Sequence, residues 1–293
     1  MYRYITRFLI IWVVVLSACD HHTPSRPVIA VTIPPVESWV EALVGDRMEV
    51  ICAVPAGGNP ESYDLPPSAM AQLSTCNLYF SCGYLGFEQA WLPRLEANNP
   101  QMQLVNLADN VELIYGTHHH HHDGAACTHH HDEGAPDPHI WCSPRRARAM
   151  ARSIYETLCR IDSAGVAEYR ARYDSLDTRL ARLDSSLMQR LAPCKGRTFA
   201  VYHPTLTYLA ADYGLIQLSL EPDGKSPSPQ HLRHMVDEAR HHGVNVVFIQ
   251  REFDPRQAET FAREVGCRTQ VIDPLSYDWE TEINRIVDAI TAE

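Results

Sequence analysis

The densest group of potential metal ligands in this chain is a histidine-rich run in the middle of the sequence. Imidazole is the commonest protein ligand for borderline divalent metals, so the run makes zinc the first metal to consider. A purification tag would lie at a terminus, whereas this run is internal and split in two. A solvated, disordered polar loop is the other interpretation, and it is compatible with metal binding. The eight histidines are His118, His119, His120, His121, His122, His129, His130 and His131.

Four further polar residues follow predicted strands, or the long loop after one of them. They are Glu61, His139, His203 and Asp273. In parallel α/β sheets, ligands gather beyond the carboxyl ends of the strands. Each residue alone is more often a hydrogen-bonding or capping group. Together, two imidazoles and two carboxylates would supply a four-coordinate shell that neutralises a dication, and two residues from each half of the chain would place that shell between two lobes.

The chain around these residues alternates short β-rich runs with helical runs, which is typical of α/β proteins with parallel sheets. Four candidate strands fall in each half. The predicted fold class is therefore α/β with two similar lobes, each a mainly parallel four-stranded sheet flanked by helices. Apolar residues recur at spacings of three and four through 163–192, which predicts one long rigid helix joining the lobes. A short coiled-coil dimer is the alternative for this helix.

These elements define the predicted domains. Residues 28–162 would form the first lobe, including the His-rich loop 117–134, and residues 193–293 would form the second. The loop is too long for an ordinary connection between two elements. It is therefore predicted to be functional or disordered.

The N-terminus predicts export from the cytoplasm. Residues 1–18 combine early arginines with a short apolar run, as in a secretory signal, and Cys19 resembles the cysteine of a bacterial lipobox. Cys19 would then be lipidated, and residues 19–27 would form a polar tether. The predicted location is the outer side of a membrane of the bacterial cell envelope, facing the periplasm in a Gram-negative cell. An ordinary signal with a fortuitous cysteine is the alternative.

Charge and cysteine content limit the choice of partners. The chain has 25 basic and 36 acidic residues, giving a net charge of -11, which argues against nucleic acid and against an anionic lipid surface. We expect a monomer that touches a membrane only through its lipid. Eight cysteines besides Cys19 could form disulfides in an oxidising compartment, and the sequence leaves their pairing open.

Several segments resemble the bacterial solute-binding proteins that serve zinc and manganese ABC importers. In chain order, the matching segments are PAGGNPESYDLPPS, DPHIWCSP, YHPTLTYLAADYGL, EPDGKSPSP and IDPLSYDW. The resemblance implies two α/β lobes joined by one long helix, with a metal buried between them. It also implies that the metal passes to a membrane permease with its ATPase, so that the protein is a transport component and not an enzyme.

The resemblance implies that His139, His203 and Asp273 are ligands, but relatives carry histidine where this chain has Glu61. Zinc members usually have three histidines and an aspartate, whereas manganese members have a glutamate at the position of His203. Gln250 is another departure, since zinc relatives often carry glutamate there. The Irving–Williams order and the His-rich loop favour Zn²⁺, and manganese or iron is the alternative.

Two other functions fit parts of the sequence. A zinc hydrolase would use metal-bound water as its nucleophile, but no HExxH motif occurs and all four ligands are needed to close the shell. A surface zinc scavenger or adhesin would act through the His-rich loop without a permease.

Overall fold

Two parallel four-stranded sheets organise the protein, whose computed structural model describes residues 26–115, 134–221 and 227–292. The strands of the first sheet are β1 (Val28–Val31), β2 (Glu49–Cys52), β3 (Leu78–Ser81) and β4 (Gln103–Asn106). Those of the second sheet are β5 (Thr198–Val201), β6 (Ile216–Ser219), β7 (Val246–Gln250) and β8 (Arg268–Ile272). The predicted fold class is confirmed.

Helices connect these strands in each lobe. The first lobe contains α1 (Pro34–Val44), α2 (Pro67–Leu73), α3 (Gly86–Asn98) and α4 (Pro144–Ile161). The joining helix is α5 (Val166–Leu191). The second lobe contains α6 (Thr207–Tyr213), α7 (Pro229–His241), α8 (Arg256–Val265) and α9 (Trp279–Thr291). Because the strands are parallel, each connection must cross back over the sheet, and helices serve as these crossovers.

The order of the strands is the same in both lobes. The first sheet has the order β2-β1-β3-β4 and the second has β6-β5-β7-β8. In each lobe the first strand is an inner strand, and the second strand lies beside it at one edge of the sheet. The third and fourth strands lie on the opposite side of the first. This reversal creates a crevice between β1 and β3 and another between β5 and β7, at the carboxyl ends where α/β proteins bind ligands.

Helix α5 packs against both lobes. It contacts α1 and α4 of the first lobe and α9 of the second. Its buried residues recur at helical spacing and are Tyr169, Leu176, Leu180, Leu183, Leu187 and Leu191. These residues belong to one continuous apolar cluster that also includes side chains from both sheets, such as Phe80 and Phe248. A single helix with an apolar face buried along its length limits how far the lobes can move apart. The residue boundaries of the two lobes stay a prediction.

Several expectations concern residues outside the described ranges. These are the signal at 1–18, the lipidated Cys19 and the histidine run from His118 to His131. No helix in the described residues is long and apolar enough to cross a membrane. The cysteines in the same ranges are free thiols, namely Cys52, Cys76, Cys82, Cys142, Cys159, Cys194 and Cys267.

Candidate metal centre

Three of the four candidate ligands meet between the two sheets. One ligand atom from each of Glu61, His139 and His203 can be chosen so that all three atoms lie within 4.8 Å of one another. Glu61 lies in the turn after β2, His139 precedes a short 3-10 turn at Ile140–Cys142, and His203 comes two residues after β5. The group therefore combines two residues of the first lobe with one of the second.

Local hydrogen bonds fix the two residues of the first lobe in the same way. The Glu61 N–H donates to Asn59 Oδ1 at 2.9 Å, and the His139 N–H donates to Asp137 Oδ1 at 2.8 Å. Both sequences read Asx-Pro-X, and in each the Asx side chain closes a turn around the proline. The repeated turn explains how two separate loops present a ligand at a defined angle.

Helix α3 supports the Glu61 carboxylate from behind. The Gly86 N–H, at the first turn of α3, donates to Glu61 Oε2 at 3.1 Å. A helix N-terminus favours a carboxylate because its first N–H groups are free and the helix dipole is positive there. A Cβ atom at Gly86 would lie 2.4 Å from the Glu61 carbonyl oxygen. Only glycine allows this close approach.

The spacing of the two imidazoles suits a tetrahedral metal. The His139 and His203 Nε2 atoms are 3.3 Å apart. With Zn–N bonds near 2.0–2.1 Å, two ligand atoms of a tetrahedral zinc site are separated by about 3.3 Å. Glu61 Oε1 lies 3.9 Å from His139 Nε2, slightly farther than that edge.

The site is buried and small. His139 is 5% exposed, and Glu61 Oε1 is a buried oxygen without a hydrogen-bond partner among the described residues. The cavity has a volume of about 10 Å³. That volume is close to what one water-sized sphere needs, which excludes organic ligands. A buried oxygen without a partner is costly unless something satisfies it, and a single cation would do so. The donor set therefore fits a borderline dication.

Each imidazole is held by a second carboxylate. His139 Nδ1 lies 2.9 Å from Asp137 Oδ1, and His203 Nδ1 lies 2.6 Å from Glu221 Oε2. Burial lowers the pKa of His139, but the charge and hydrogen bond of Asp137 outweigh it and raise that pKa above its usual value. A carboxylate on Nδ1 directs the other nitrogen, Nε2, toward a metal and increases its basicity. Asp137 and Glu221 were not among the predicted site residues.

Asp273, the fourth predicted ligand, lies outside this group. It follows β8, an edge strand of the second sheet, whereas His203 follows the inner strand β5. Its carboxylate forms an ion pair with Arg251, with Oδ2 3.1 Å from Nη1. Its backbone N–H donates to Glu282 Oε1 at 2.7 Å. The role of Asp273 as a ligand stays a prediction.

Glu252 lines the same cavity as Glu61, His139 and His203. It comes two residues after β7, the other inner strand of the second sheet. Burial raises the pKa of its carboxyl to about 7, because the charged form loses water. Glu252 was not among the predicted ligands, although Gln250 at the end of the same strand was noted as a departure from zinc relatives. The rule that ligands follow strands would have included it.

The two ends of the His-rich segment are joined close to the site. Tyr115 and Pro136, which flank the undescribed residues 116–133, form an antiparallel bridge. Tyr208 of the second lobe donates its hydroxyl to the Asp137 carbonyl oxygen at 2.9 Å and accepts from the Ile114 N–H at 3.2 Å. Tyr115, where the segment begins, therefore lies beside Pro136, which precedes His139 by three residues.

Comparison with known proteins shows the family to which this chain belongs. A sequence model of the family described as ZnuA, the periplasmic component A of a zinc-uptake complex, matches residues 29–292. The chain belongs to this family. The match includes all four predicted ligands and the His-rich run.

Individual members of the ZnuA family cover most of the chain. The high-affinity zinc uptake system protein ZnuA of Paracoccus denitrificans is 33% identical over 257 residues, covering 78% of each chain. The protein of the same name from Bacillus subtilis is 27% identical over 253 residues, covering 84% of this chain and 78% of its own. A crystal structure of a ZnuA deletion mutant with zinc bound superimposes with a TM-score of 0.81 at 31% identity, covering 91% of this chain and 97% of that one.

Proposed function

We propose that this protein captures Zn²⁺ between its two lobes and delivers it to the membrane permease of an ABC importer. The observation that carries the proposal is the 3.3 Å separation of the His139 and His203 Nε2 atoms across the lobes. It matches the edge of a tetrahedral zinc site, about 3.3 Å, and the ligands come from both lobes. Membership of the ZnuA family supports the same transport role.

The ligand set supports zinc over manganese. Two imidazoles and a carboxylate hold Zn²⁺ more tightly than Mn²⁺ unless the protein enforces a higher coordination number. A cavity of about 10 Å³ leaves little room for the additional waters that octahedral Mn²⁺ would bring. Mn²⁺ should therefore fail to displace Zn²⁺ at equal concentration.

Removal of both interlobe imidazoles tests this function. The full chain, purified in detergent, should bind one Zn²⁺ tightly and further Zn²⁺ weakly through its histidine run. The double variant His139→Ala, His203→Ala should lose the tight class and keep the weak class in a titration against a chelator of known affinity. The matched control is His241→Ala, His242→Ala, which removes two exposed imidazoles at the end of α7 and should change nothing. Tight stoichiometric binding by the first double variant would refute the interlobe site.

The same proposal includes export and anchoring. We propose that residues 1–18 are removed, that Cys19 is lipidated, and that the histidine run collects zinc near the cleft. The nearness of Tyr115 and Pro136 to His139 supports this role of the run. A chain with Cys19→Ala should fail to incorporate labelled fatty acid. Deletion of 117–134 should lower the number of weakly bound Zn²⁺ ions and leave the tight site intact.

A further inference from the structure

The lobes contact each other through two separate sets of polar residues, and the two sets differ in strength. The first set joins α4 to α6. Arg146 of α4 donates to both carboxylate oxygens of Asp212 on α6, with Nη2 2.7 Å from Oδ1 and Nε 3.0 Å from Oδ2. The Ser143 hydroxyl also donates to Asp212 Oδ2, at 2.6 Å, and the Asp212 side chain is buried. A bidentate ion pair shielded from water is a strong contact, so this set should resist separation.

The second set joins α1 to the segment between β8 and α9. The Tyr277 hydroxyl donates to Glu41 Oε2 on α1, and this hydrogen bond raises the pKa of Tyr277 to about 12, so the hydroxyl keeps its proton. Both residues are exposed, and both line a cavity of about 660 Å³. Water competes for an exposed hydrogen bond, so this contact should break more easily than the buried Asp212 pair.

Two tryptophans line the same cavity. Trp39 of α1 and Trp279 of α9 pack edge to face, with ring centroids 5.3 Å apart, and both side chains are buried. The Trp279 Nε1–H is a buried donor without a hydrogen-bond partner in the described part of the chain. An unpaired buried donor is unfavourable, and water would satisfy it once α1 and α9 separate. The indole N–H therefore favours separation, whereas the Tyr277 hydroxyl opposes it.

The segment that carries Tyr277 also forms a wall of the small metal cavity. Pro274 and Leu275, which come shortly before Tyr277, line that cavity. The Trp141 indole N–H donates to the Pro274 carbonyl oxygen at 3.0 Å, and Trp141 comes two residues after His139. Movement of Tyr277 away from α1 would displace this wall and open the cavity to water.

We propose that the hydrogen bond between Tyr277 and Glu41 is a latch that holds the metal-bound lobes closed, and that zinc leaves when α1 and α9 separate. The contacts of Asp212 would stay in place and form the fixed side of this movement. The inference rests on the proposed function, because it assumes that zinc binds between the lobes. No metal ligand takes part in the latch. Breaking it should therefore change the rate of zinc release without changing the ligand shell.

Removal of either latch group from the full chain, loaded with one Zn²⁺ per molecule, tests the proposal. Tyr277→Phe and Glu41→Ala should each raise the rate of zinc release to excess chelator roughly fivefold, the usual effect of one hydrogen bond. The double variant should release zinc no faster than either single variant, because both changes remove the same hydrogen bond. The matched controls are Tyr173→Phe on α5 and Glu96→Ala on α3. Each should change the rate less than about twofold, as is usual away from the contact.

Two further measurements show whether the movement is the proposed one. With Co²⁺ in place of Zn²⁺, Tyr277→Phe should keep the ligand-field bands of the unaltered chain, because the ligand shell is the same. In the metal-free chain, Tyr277→Phe should speed the hydrogen exchange of backbone amides in residues 38–44 and 277–283, measured by mass spectrometry. Exchange in residues 207–213, on the Asp212 side, should not change. Thermal unfolding of each variant checks that it folds.

The latch is ruled out if Tyr277→Phe leaves the rate of zinc release unchanged, or if the effects of Tyr277→Phe and Glu41→Ala multiply in the double variant. Faster exchange in residues 207–213 alone would show that the lobes separate at Asp212 instead. Failure of the proposed function is a different result, namely tight binding that survives His139→Ala, His203→Ala.

Discussion

The two lobes hold their halves of the metal centre by different means. In the first lobe, Glu61 and His139 are each presented by an Asx-Pro-X turn, away from the ends of the strands. In the second lobe, His203 comes two residues after the inner strand β5, and the side-chain amide of Gln250, at the end of β7, hydrogen-bonds the His203 backbone. The turns depend on local sequence, whereas the strand ends depend on sheet pairing. The same strand order thus supports two ways of positioning a ligand.

Each lobe also contains a buried polar side chain that hydrogen-bonds the backbone, and these two side chains differ. Glu88 of the first lobe accepts hydrogen bonds from the Cys82 N–H at 2.6 Å, the Gly83 N–H at 2.7 Å and the Thr32 hydroxyl. Gln250 of the second lobe is neutral and is 1% exposed. The first lobe therefore uses a buried charge where the second uses an amide. A charged acceptor forms stronger hydrogen bonds than a neutral one.

Truncation of these two groups should give the largest effect. Glu88→Ala leaves three donors without a partner and should lower the free energy of unfolding by about 3 kcal/mol. Gln250→Ala also leaves three groups without a partner, but it should lower the free energy of unfolding by only about 1.5 kcal/mol, since the lost hydrogen bonds are to a neutral amide. Denaturant unfolding of the metal-free chain measures both.

Glu96→Ala is the matched control for Glu88, because Glu96 is an exposed residue on the same helix, α3. This change should stay within about 0.5 kcal/mol, as is usual for exposed positions. Equal losses for Glu88→Ala and Gln250→Ala would show that the charge of Glu88 adds nothing and would remove this difference between the lobes.

The imidazoles, in contrast, are supported alike, by Asp137 in the first lobe and by Glu221 in the second. Asp137→Asn and Glu221→Gln should each lower zinc affinity about 10–100-fold, the usual cost of losing a carboxylate behind a metal-bound histidine. Competition with a chelator at neutral pH measures both.

Asp254→Asn is the matched control for these substitutions. Asp254 begins a third Asx-Pro-X turn, with its Oδ1 3.0 Å from the Arg256 N–H, and its side chain is about half exposed. Zinc affinity should not change when its charge is removed. A large loss for Asp137→Asn with none for Glu221→Gln would mean that the two lobes do not support their histidines equally.

Most of the fold could be predicted from hydrophobic periodicity. The expected four strands in each half are present, and the leucine spacing of α5 predicted the joining helix. Helix α4 was not predicted, although Pro144 at its start and the spacing of Ala147, Met150, Ile154 and Leu158 indicate a helix. Strand order could not be predicted, because it depends on contacts between distant segments.

The candidate site shows the same limit. Glu61, His139 and His203 could be found because each follows a strand or a marked turn. The positions of Asp273 and Glu252 depend on which strand is at the edge of the second sheet and on the Arg251 ion pair. Both are properties of the folded sheet. Counting residues after strands therefore gives a set of candidates but does not rank them.

The pH dependence of zinc binding should also distinguish the lobes, with a smaller effect. Protonated imidazole cannot bind a metal, so affinity is full above the pKa of His139 and is lost as the pH falls through it. Because Asp137 raises this pKa, the loss should begin above about pH 6.5 and reach roughly tenfold per pH unit from this ligand. Asp137→Asn should move the onset to lower pH, whereas Glu221→Gln should leave the contribution of His139 in place. Affinity measured by chelator competition across this range, with the chelator calibrated at each pH, tests the difference. An unchanged profile for Asp137→Asn would show that Asp137 orients His139 without controlling its protonation.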